Sequence, residues 1–345
     1  MKKLLFLTKH LRIGGAEISL LRLLRQIDRT QYEIEVKLVF RDIQYNEYFP
    51  DDIKFSWIFP EMTEKAKSYV RDDPQTLCRR FISDSYDIVI AFLEGYPTRI
   101  LSFYNAPNLV KIAWIHTDFR NNHHSMNAYH TLEEEMDTYK KFDHIMFCSH
   151  AAQTGFQQMI GLNPGINQKV YLPLPDAEEL NLLSRAYHIE ESVPYFCTMA
   201  RLAPEKGLEK IPYAANALKE NGYLFKWLIF GDGPLRQQLE DHIHRLRLEN
   251  IVHLKGICEN PFPYLKNSMA YVCTSSGESL GLSVVEAQML SVPVIACDSS
   301  GIREALNGIQ TNYLVPNSVE GLLSGIHQFL KEQDPFTRFS DRSTS

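Results

Sequence analysis

Short apolar runs alternate with stretches of helical periodicity along almost the whole of this 345-residue sequence. The runs fall at residues 4–7, 34–40, 88–92, 110–115 and 145–148, and again at 195–199, 227–230, 251–254, 270–274 and 294–297. Short, continuous apolar runs suit strands buried on both faces. Between them, Ile18, Leu21, Leu24 and Ile27 recur about a helical turn apart, as do Leu235, Leu239, Ile243 and Leu246. The second of these stretches, 234–246, opens with Pro234, which we place at the first helical position. Strands alternating with helices predict parallel sheets covered by helices on both faces. The series breaks at Leu172-Pro-Leu-Pro-Asp-Ala-Glu-Glu and then starts afresh. A chain of this length also exceeds what one core usually supports. The expected fold class is therefore α/β: two Rossmann-like, doubly wound domains facing a central cleft. We expect an N-terminal domain over 1–175, a C-terminal domain over 176–333 and a disordered polar tail over 334–345.

The charge balance narrows the function. Net charge is −6, which argues against a nucleic-acid partner held by phosphate attraction. Residues 1–170 hold 21 Lys and Arg against 21 Asp and Glu, so the remainder carries the whole excess. The neutral first half has basic clusters at Lys9/Arg12, Arg22/Arg25/Arg29, Arg79/Arg80 and Lys140/Lys141. These suit peripheral contact with an anionic membrane or a phosphorylated acceptor; scattered solvated side chains explain them equally well. Six single cysteines without a C-x-x-C pair read as reduced residues of a cytosolic protein. The start, Met-Lys-Lys-Leu-Leu-Phe-Leu-Thr, is too briefly apolar for a leader and reads as a first buried strand. No run approaches the length that spans a bilayer.

In open α/β sheets ligands bind beyond the carboxyl ends of the strands, and four such ends carry unusual residues. Gly14-Gly15-Ala-Glu follows the first strand and opens a helix, where close backbone approach and helix amides favour an anion; a plain tight turn explains the glycines as well. Arg201-Leu-Ala-Pro-Glu-Lys206-Gly207 places two cations five residues apart, able to converge on a diphosphate and neutralise a leaving phosphate. Gly231-Asp-Gly-Pro is a turn into a helix that shapes the edge rather than reacting. Glu278 and Glu286 are separated by seven residues; Glu278 falls in the loop, and a helix beginning near Gly281 would aim the amides of Leu282 and Ser283 at an anion. Glu286 could accept from two adjacent ribose hydroxyls, and Glu278 could reach those of a sugar.

Taken in order, these four motifs resemble the retaining glycosyltransferases of the GT-B fold, family-4 type, over roughly residues 1 to 330. Asn260-Pro-Phe-Pro-Tyr-Leu-Lys-Asn, Pro293-Val-Ile-Ala-Cys-Asp and Ser300-Gly-Ile-Arg-Glu are similar to the bacterial subgroup that builds capsule, lipopolysaccharide and lipid-linked glycans. The resemblance implies that Arg201 and Lys206 hold the diphosphate of a nucleotide sugar, with Gly14 and Gly15 giving it room and Gly231 among the donor-binding residues. It implies Glu286 on the ribose, Gly281, Leu282 and Ser283 at the distal phosphate, Glu278 on the sugar and Ile257 beside the base. His116, in Trp114-Ile-His-Thr-Asp118, would face the reacting sugar, with Asp118 supporting it or the acceptor. The catalytic set is then His116, Arg201, Lys206 and Glu278.

The nucleotide sugar is a substrate, and neither cofactor nor metal is expected. His116, Asp118, His123 and His124 offer ligand chemistry, but their spacing fits no tight zinc pattern. The implied partners are a nucleotide-sugar donor, UDP before GDP, and a glycan or lipid-linked acceptor, reached in the cytoplasm at the inner face of the membrane. The family closes with a helix returning to the first domain; this chain stops soon after Leu330, so we expect that closure to be trimmed or altered. Rivals are another GT-B sugar-nucleotide enzyme, a non-catalytic glycan- or partner-binding subunit, and an NAD-dependent oxidoreductase. The last lacks its G-x-G-x-x-G fingerprint after the first strand.

Overall fold

The computed structural model describes residues 1–12, 14–43, 49–83, 85–161, 166–306 and 312–333. The tail expected over 334–345 lies outside the described residues. Contacts between Cα atoms divide the chain into two compact units, Met1–Leu174 and one beginning at Pro175, and the division falls in the proline-interrupted stretch.

The first unit is built from β1 (Lys2–Thr8), α1 (Gly15–Gln26), β2 (Tyr32–Phe40), β3 (Lys54–Phe59), α2 (Glu64–Asp72), α3 (Pro74–Phe81), β4 (Ile88–Phe92), α4 (Tyr96–Leu101), β5 (Val110–Ile115), α5 (Leu132–Tyr139), β6 (His144–Phe147), α6 (His150–Met159) and β7 (Asn167–Val170). Its seven strands are all parallel, in the order β3-β2-β1-β4-β5-β6-β7. Leu5 and Leu7 point into one apolar layer and Leu4 and Phe6 into the other, so β1 is covered on both faces. That double burial is why its sequence is a continuous apolar run rather than an alternating one.

The second unit comprises α7 (Ala177–Leu183), β8 (Tyr195–Met199), α8 (Lys210–Glu220), β9 (Lys226–Phe230), α9 (Arg236–Arg245), β10 (Val252–Gly256), α10 (Phe262–Lys266), β11 (Ala270–Cys273), α11 (Leu282–Met289), β12 (Val294–Cys297), α12 (Ser300–Ala305), β13 (Asn312–Val315) and α13 (Val319–Gln333). Its six parallel strands run β10-β9-β8-β11-β12-β13. Trp227 is fully buried, with its indole N–H on the Thr198 hydroxyl at 3.0 Å, and that hydroxyl donates to Val272 O at 2.8 Å. A polar relay thus crosses three strands of an otherwise apolar core.

Strand order reverses between β1 and β4 in the first sheet and between β8 and β11 in the second. The loops leaving these strands diverge to opposite faces there, which opens room for a ligand. One local expectation changes, at α9, and one holds, at α1. Helix α9 starts at Arg236 with Leu235 as its cap, so Pro234 belongs to the preceding turn. Helix α1 starts at Gly15, with Gly14 as an extended cap residue at φ −170°. All six cysteines are free, and Cys197, Cys273 and Cys297 lie in buried strands. No described helix is long and apolar enough to cross a membrane.

Candidate active site

At the reversal point of the second sheet, the loops after β8 and β11 are tied to each other. The Thr274 hydroxyl donates to Lys206 O at 2.8 Å, and Ser276 N donates to Glu205 O at 2.9 Å. The Lys210 ammonium donates to Thr274 O at 3.1 Å. Gly207 sits in the left-handed region at φ +57°, and a Cβ there would lie 2.4 Å from Thr274 O, so only glycine lets the loops come this close. The result is a short 3₁₀ turn, Pro204–Lys206, that presents Lys206 to the loop after β11.

There the Lys206 ammonium meets Glu278 Oε1 at 2.6 Å, and the Ser275 hydroxyl donates to the same oxygen at 2.7 Å. Both side chains are largely shielded, at 21% and 16% exposure. Burial works against the Lys206 charge, and the adjacent Glu278 carboxylate outweighs it, so its pKa stands above the ordinary lysine value. Lys206 is therefore a fixed cation at every physiological pH. Arg201 takes another partner: its guanidinium pairs with Glu205 one turn on and stays 60% exposed.

The turn after β9 braces this arrangement. Gly231 N donates to Gly256 O at 2.8 Å, and Leu202 N donates to Asp232 O at 3.0 Å. Gly231 has φ +129°, and a Cβ on it would sit 2.0 Å from Ala200 O. Its glycine is thus demanded by contact with the backbone beside Arg201. Ile257, just past β10, is 57% exposed.

Helix α11 begins where expected. Gly281 caps it in the left-handed region at φ +76°, and Leu282 and Ser283 are its first two residues, whose amides have no acceptor within a helix. Val284 N and Val285 N return to Gly281 O at 2.9 and 3.3 Å. The Tyr271 hydroxyl lies 2.7 Å from Ser283 Oγ and 3.1 Å from Met199 O, linking this first turn to the end of β8. Glu286 is buried in the second turn. Gly301 N donates to Glu278 O at 3.2 Å, so α12 packs directly on the loop that carries Glu278.

The corresponding edge of the first sheet is built differently. The His116 ring lies 4.6 Å from Phe92 and 6.0 Å from Trp114 by ring centres, and its Nε2 is buried without a hydrogen-bond partner among the described residues. Burial alone pushes its pKa down to about 3, so the imidazole is neutral. Glu94, in the loop after β4, accepts from His116 N at 2.8 Å and also from the Thr117 hydroxyl. Asp118 is 1% exposed and grips Arg120 through Nε at 2.9 Å and Nη2 at 2.6 Å. Its carboxylate holds the 118–122 turn, and Glu94 supports His116 through its backbone. His123 Nε2 lies 2.8 Å from the fully buried Glu135. Among the described residues no three His, Cys, Asp or Glu side chains are grouped to hold a metal ion. Gly14 packs on the Glu17 side chain, and Gly15 begins α1.

Residues 182–345, nearly all of the second unit, match the family model described as glycosyl transferases group 1. That unit is thus similar to the group 1 glycosyltransferases. An uncharacterized glycosyltransferase of Methanocaldococcus jannaschii is 38% identical over 112 residues, 32% of this chain and 28% of that protein. A poly(ribitol-phosphate) alpha-N-acetylglucosaminyltransferase of Staphylococcus aureus is 27% identical over 149 residues, 41% of this chain and 30% of that one. The matches thus span under a third of either relative's length. Among solved structures, Anabaena HepE in complex with UDP and glucose superposes with a TM-score of 0.74 at 20% identity, covering 96% of this chain and 91% of that one. A point mutant of S. aureus TarM, in complex with fondaparinux, alpha-GlcNAc-glycerol and UDP, gives 0.74 at 13% identity, covering 96% and 93%. The fold is GT-B.

Of the residues singled out in sequence, Arg201, Lys206, Gly231, Ile257, Glu278, Gly281, Leu282, Ser283 and Glu286 follow the carboxyl ends of second-sheet strands. Only Lys206 and Glu278 touch through their side chains among the contacts described above. Sequence reasoning passed over Glu205, Ser275 and Glu94. Glu205 had a signal, standing four residues after Arg201. Ser275 stands three residues before Glu278 in the same loop, whereas Glu94 had no signal, because its partners His116 and Thr117 lie in a loop that only the sheet order brings beside it.

Proposed function

We propose that this chain is a retaining, metal-independent hexosyltransferase. It moves a hexose or N-acetylhexosamine from a nucleoside diphosphate sugar, uridine before guanosine, to a glycan or lipid-linked acceptor of bacterial surface polysaccharide. The observation that carries this reading is the meeting of Lys206 with Glu278 at 2.6 Å across the strand reversal of the second sheet. A fixed cation for a diphosphate and a carboxylate for sugar hydroxyls thus stand side by side, beside the first turn of α11. The UDP in the HepE and TarM complexes supports the uridine preference.

In this proposal Lys206 and Arg201 bind the diphosphate, and the Leu282 and Ser283 amides meet its distal phosphate. Glu286 takes the ribose, Glu278 the donor sugar, and Ile257 borders the base. The first unit receives the acceptor at its own strand-end edge, beside the neutral His116. Transfer is a front-face substitution. The bond from the anomeric carbon to the leaving phosphate oxygen breaks as the acceptor oxygen bonds that carbon from the same face. The acceptor proton passes to the departing phosphate, and Lys206, Arg201 and the helix amides stabilise the growing negative charge there.

The test is incubation with UDP-glucose, UDP-galactose, UDP-N-acetylglucosamine and GDP-mannose, with chelator present, measuring free nucleoside diphosphate. Release from one donor, lost in Lys206→Ala, with product anomers matching the donor by NMR, is the expected result. Release that requires added divalent metal, or products of inverted configuration, would overturn it.

A further inference from the structure

The pairing of Lys206 with Glu278 has a consequence for which ligands the second unit can keep. We infer that Glu278 competes with the diphosphate for Lys206, so that firm binding of the nucleotide requires the attached sugar. This rests on the donor site proposed above.

Glu278 Oε1 has two donors in the structure, the Lys206 ammonium at 2.6 Å and the Ser275 hydroxyl at 2.7 Å. Both members of the ion pair are shielded, and the loop that holds Glu278 is fixed from behind by Gly301 N on its carbonyl. The carboxylate therefore has no easy route into bulk water. A diphosphate drawn to Lys206 arrives beside this second anion where screening is weak. Charge-assisted hydrogen bonds are the strong ones, so sharing the ammonium between two anions weakens the hold of each. A sugar on the diphosphate changes the balance, because its hydroxyls donate to Glu278 and replace what the ammonium gave up. After transfer the sugar has gone, and Glu278 again faces the phosphate with Ser275 as its remaining donor. Lys206 then returns to Glu278, and the nucleoside diphosphate leaves. The residue that reads the sugar thereby also expels the product.

Titration calorimetry separates this from a plain sugar contact, because the expected signs are opposite. UDP, with GDP in its place should UDP not bind, is titrated into wild type, Glu278→Gln, Ser275→Ala and Lys206→Ala, alongside the matching nucleotide sugar. Glu278→Gln should bind the nucleoside diphosphate about tenfold tighter, about 1.4 kcal/mol, and lose most of the preference for the nucleotide sugar. Ser275→Ala, which leaves the carboxylate dependent on Lys206 alone, should bind it more weakly than wild type. Unchanged or weaker binding in Glu278→Gln overturns the inference. Should that variant fail to melt cooperatively, unchanged or tighter binding in Ser275→Ala overturns it instead. If Lys206→Ala loses binding while Glu278→Gln gains none, the donor site stands and only the competition falls. If wild type binds neither UDP nor GDP, both fall.

Discussion

At the carboxyl edge of the second sheet, the residues singled out for the donor include cations paired with carboxylates, whereas at the same edge of the first sheet His116 packs against aromatic rings. Lys206 meets Glu278 and Arg201 meets Glu205, with each cation held in reserve by a carboxylate. His116 instead lies beside Phe92 and Trp114, neutral and with Nε2 unmatched among the described residues. The two edges share one strand pattern and one reversal of order, yet suit different ligands. A diphosphate carries the same charge whatever sugar it bears, so its binding residues can be charged and fixed in spacing. A neutral hydroxylated acceptor is better met by ring faces and a neutral imidazole.

The largest expected effect lies on the charged edge. Lys206→Ala should lower transfer by about 100-fold or more, measured as product formed at saturating donor, while its far-UV spectrum stays that of wild type. Retention of near wild-type turnover would make the two edges chemically alike. Next comes the backbone that holds that edge. Gly231→Ala places a Cβ 2.0 Å from Ala200 O at φ +129°, and should destabilise the second unit by about 3 kcal/mol in urea unfolding.

The first unit breaks the comparison in acid. Glu35 is buried in β2, accepting from the Tyr86 and Ser56 hydroxyls at 2.7 Å each, with Lys37 at 3.1 Å. Burial alone would raise its pKa; these partners reverse that and hold it at about 2. A depressed carboxyl stabilises the folded state above its ordinary value of 4.5, and that stability is lost as pH falls from 4.5 towards 2. The loss should be on the order of 2 kcal/mol, seen as a falling melting temperature of the first unit and reduced in Tyr86→Phe. The smallest effect is an absence of change. With its pKa pushed down to about 3, His116 should show no titrating ring resonance between pH 5 and 8; a shift centred near 6.5 would mean that its ring is solvated.

How much of this was legible in sequence follows the same division. Every strand with a continuous apolar run was found within a residue or two of its ends. The three missed, β3, β7 and β13, are all edge strands. Lys54 and Ser56 break the pattern of β3, and Asn167, Gln168 and Lys169 that of β7. An edge strand has one neighbour and keeps polar residues that blunt it, so its period is faint. The spacing of the Arg/Lys pair and of the two glutamates was visible in sequence because it is set within single loops and one helix. Glu94 was not, since it reaches the loop after β5 only because β4 and β5 lie side by side. The hold of Asp118 on its turn was not legible either: its partner Arg120 is two residues away, and nothing in the spacing tells a turn-holding carboxylate from one aimed at a ligand.

The most direct test of the central claim, that the second unit holds a nucleoside diphosphate through Lys206 without metal, is a thermal-shift panel. UDP, GDP, ADP and NAD are each added with and without chelator to wild type and Lys206→Ala, since a ligand of the folded state raises its melting point. The account predicts a rise with UDP or GDP that persists in chelator and disappears in Lys206→Ala. A rise with NAD alone, or a nucleotide response unchanged in Lys206→Ala, would contradict it.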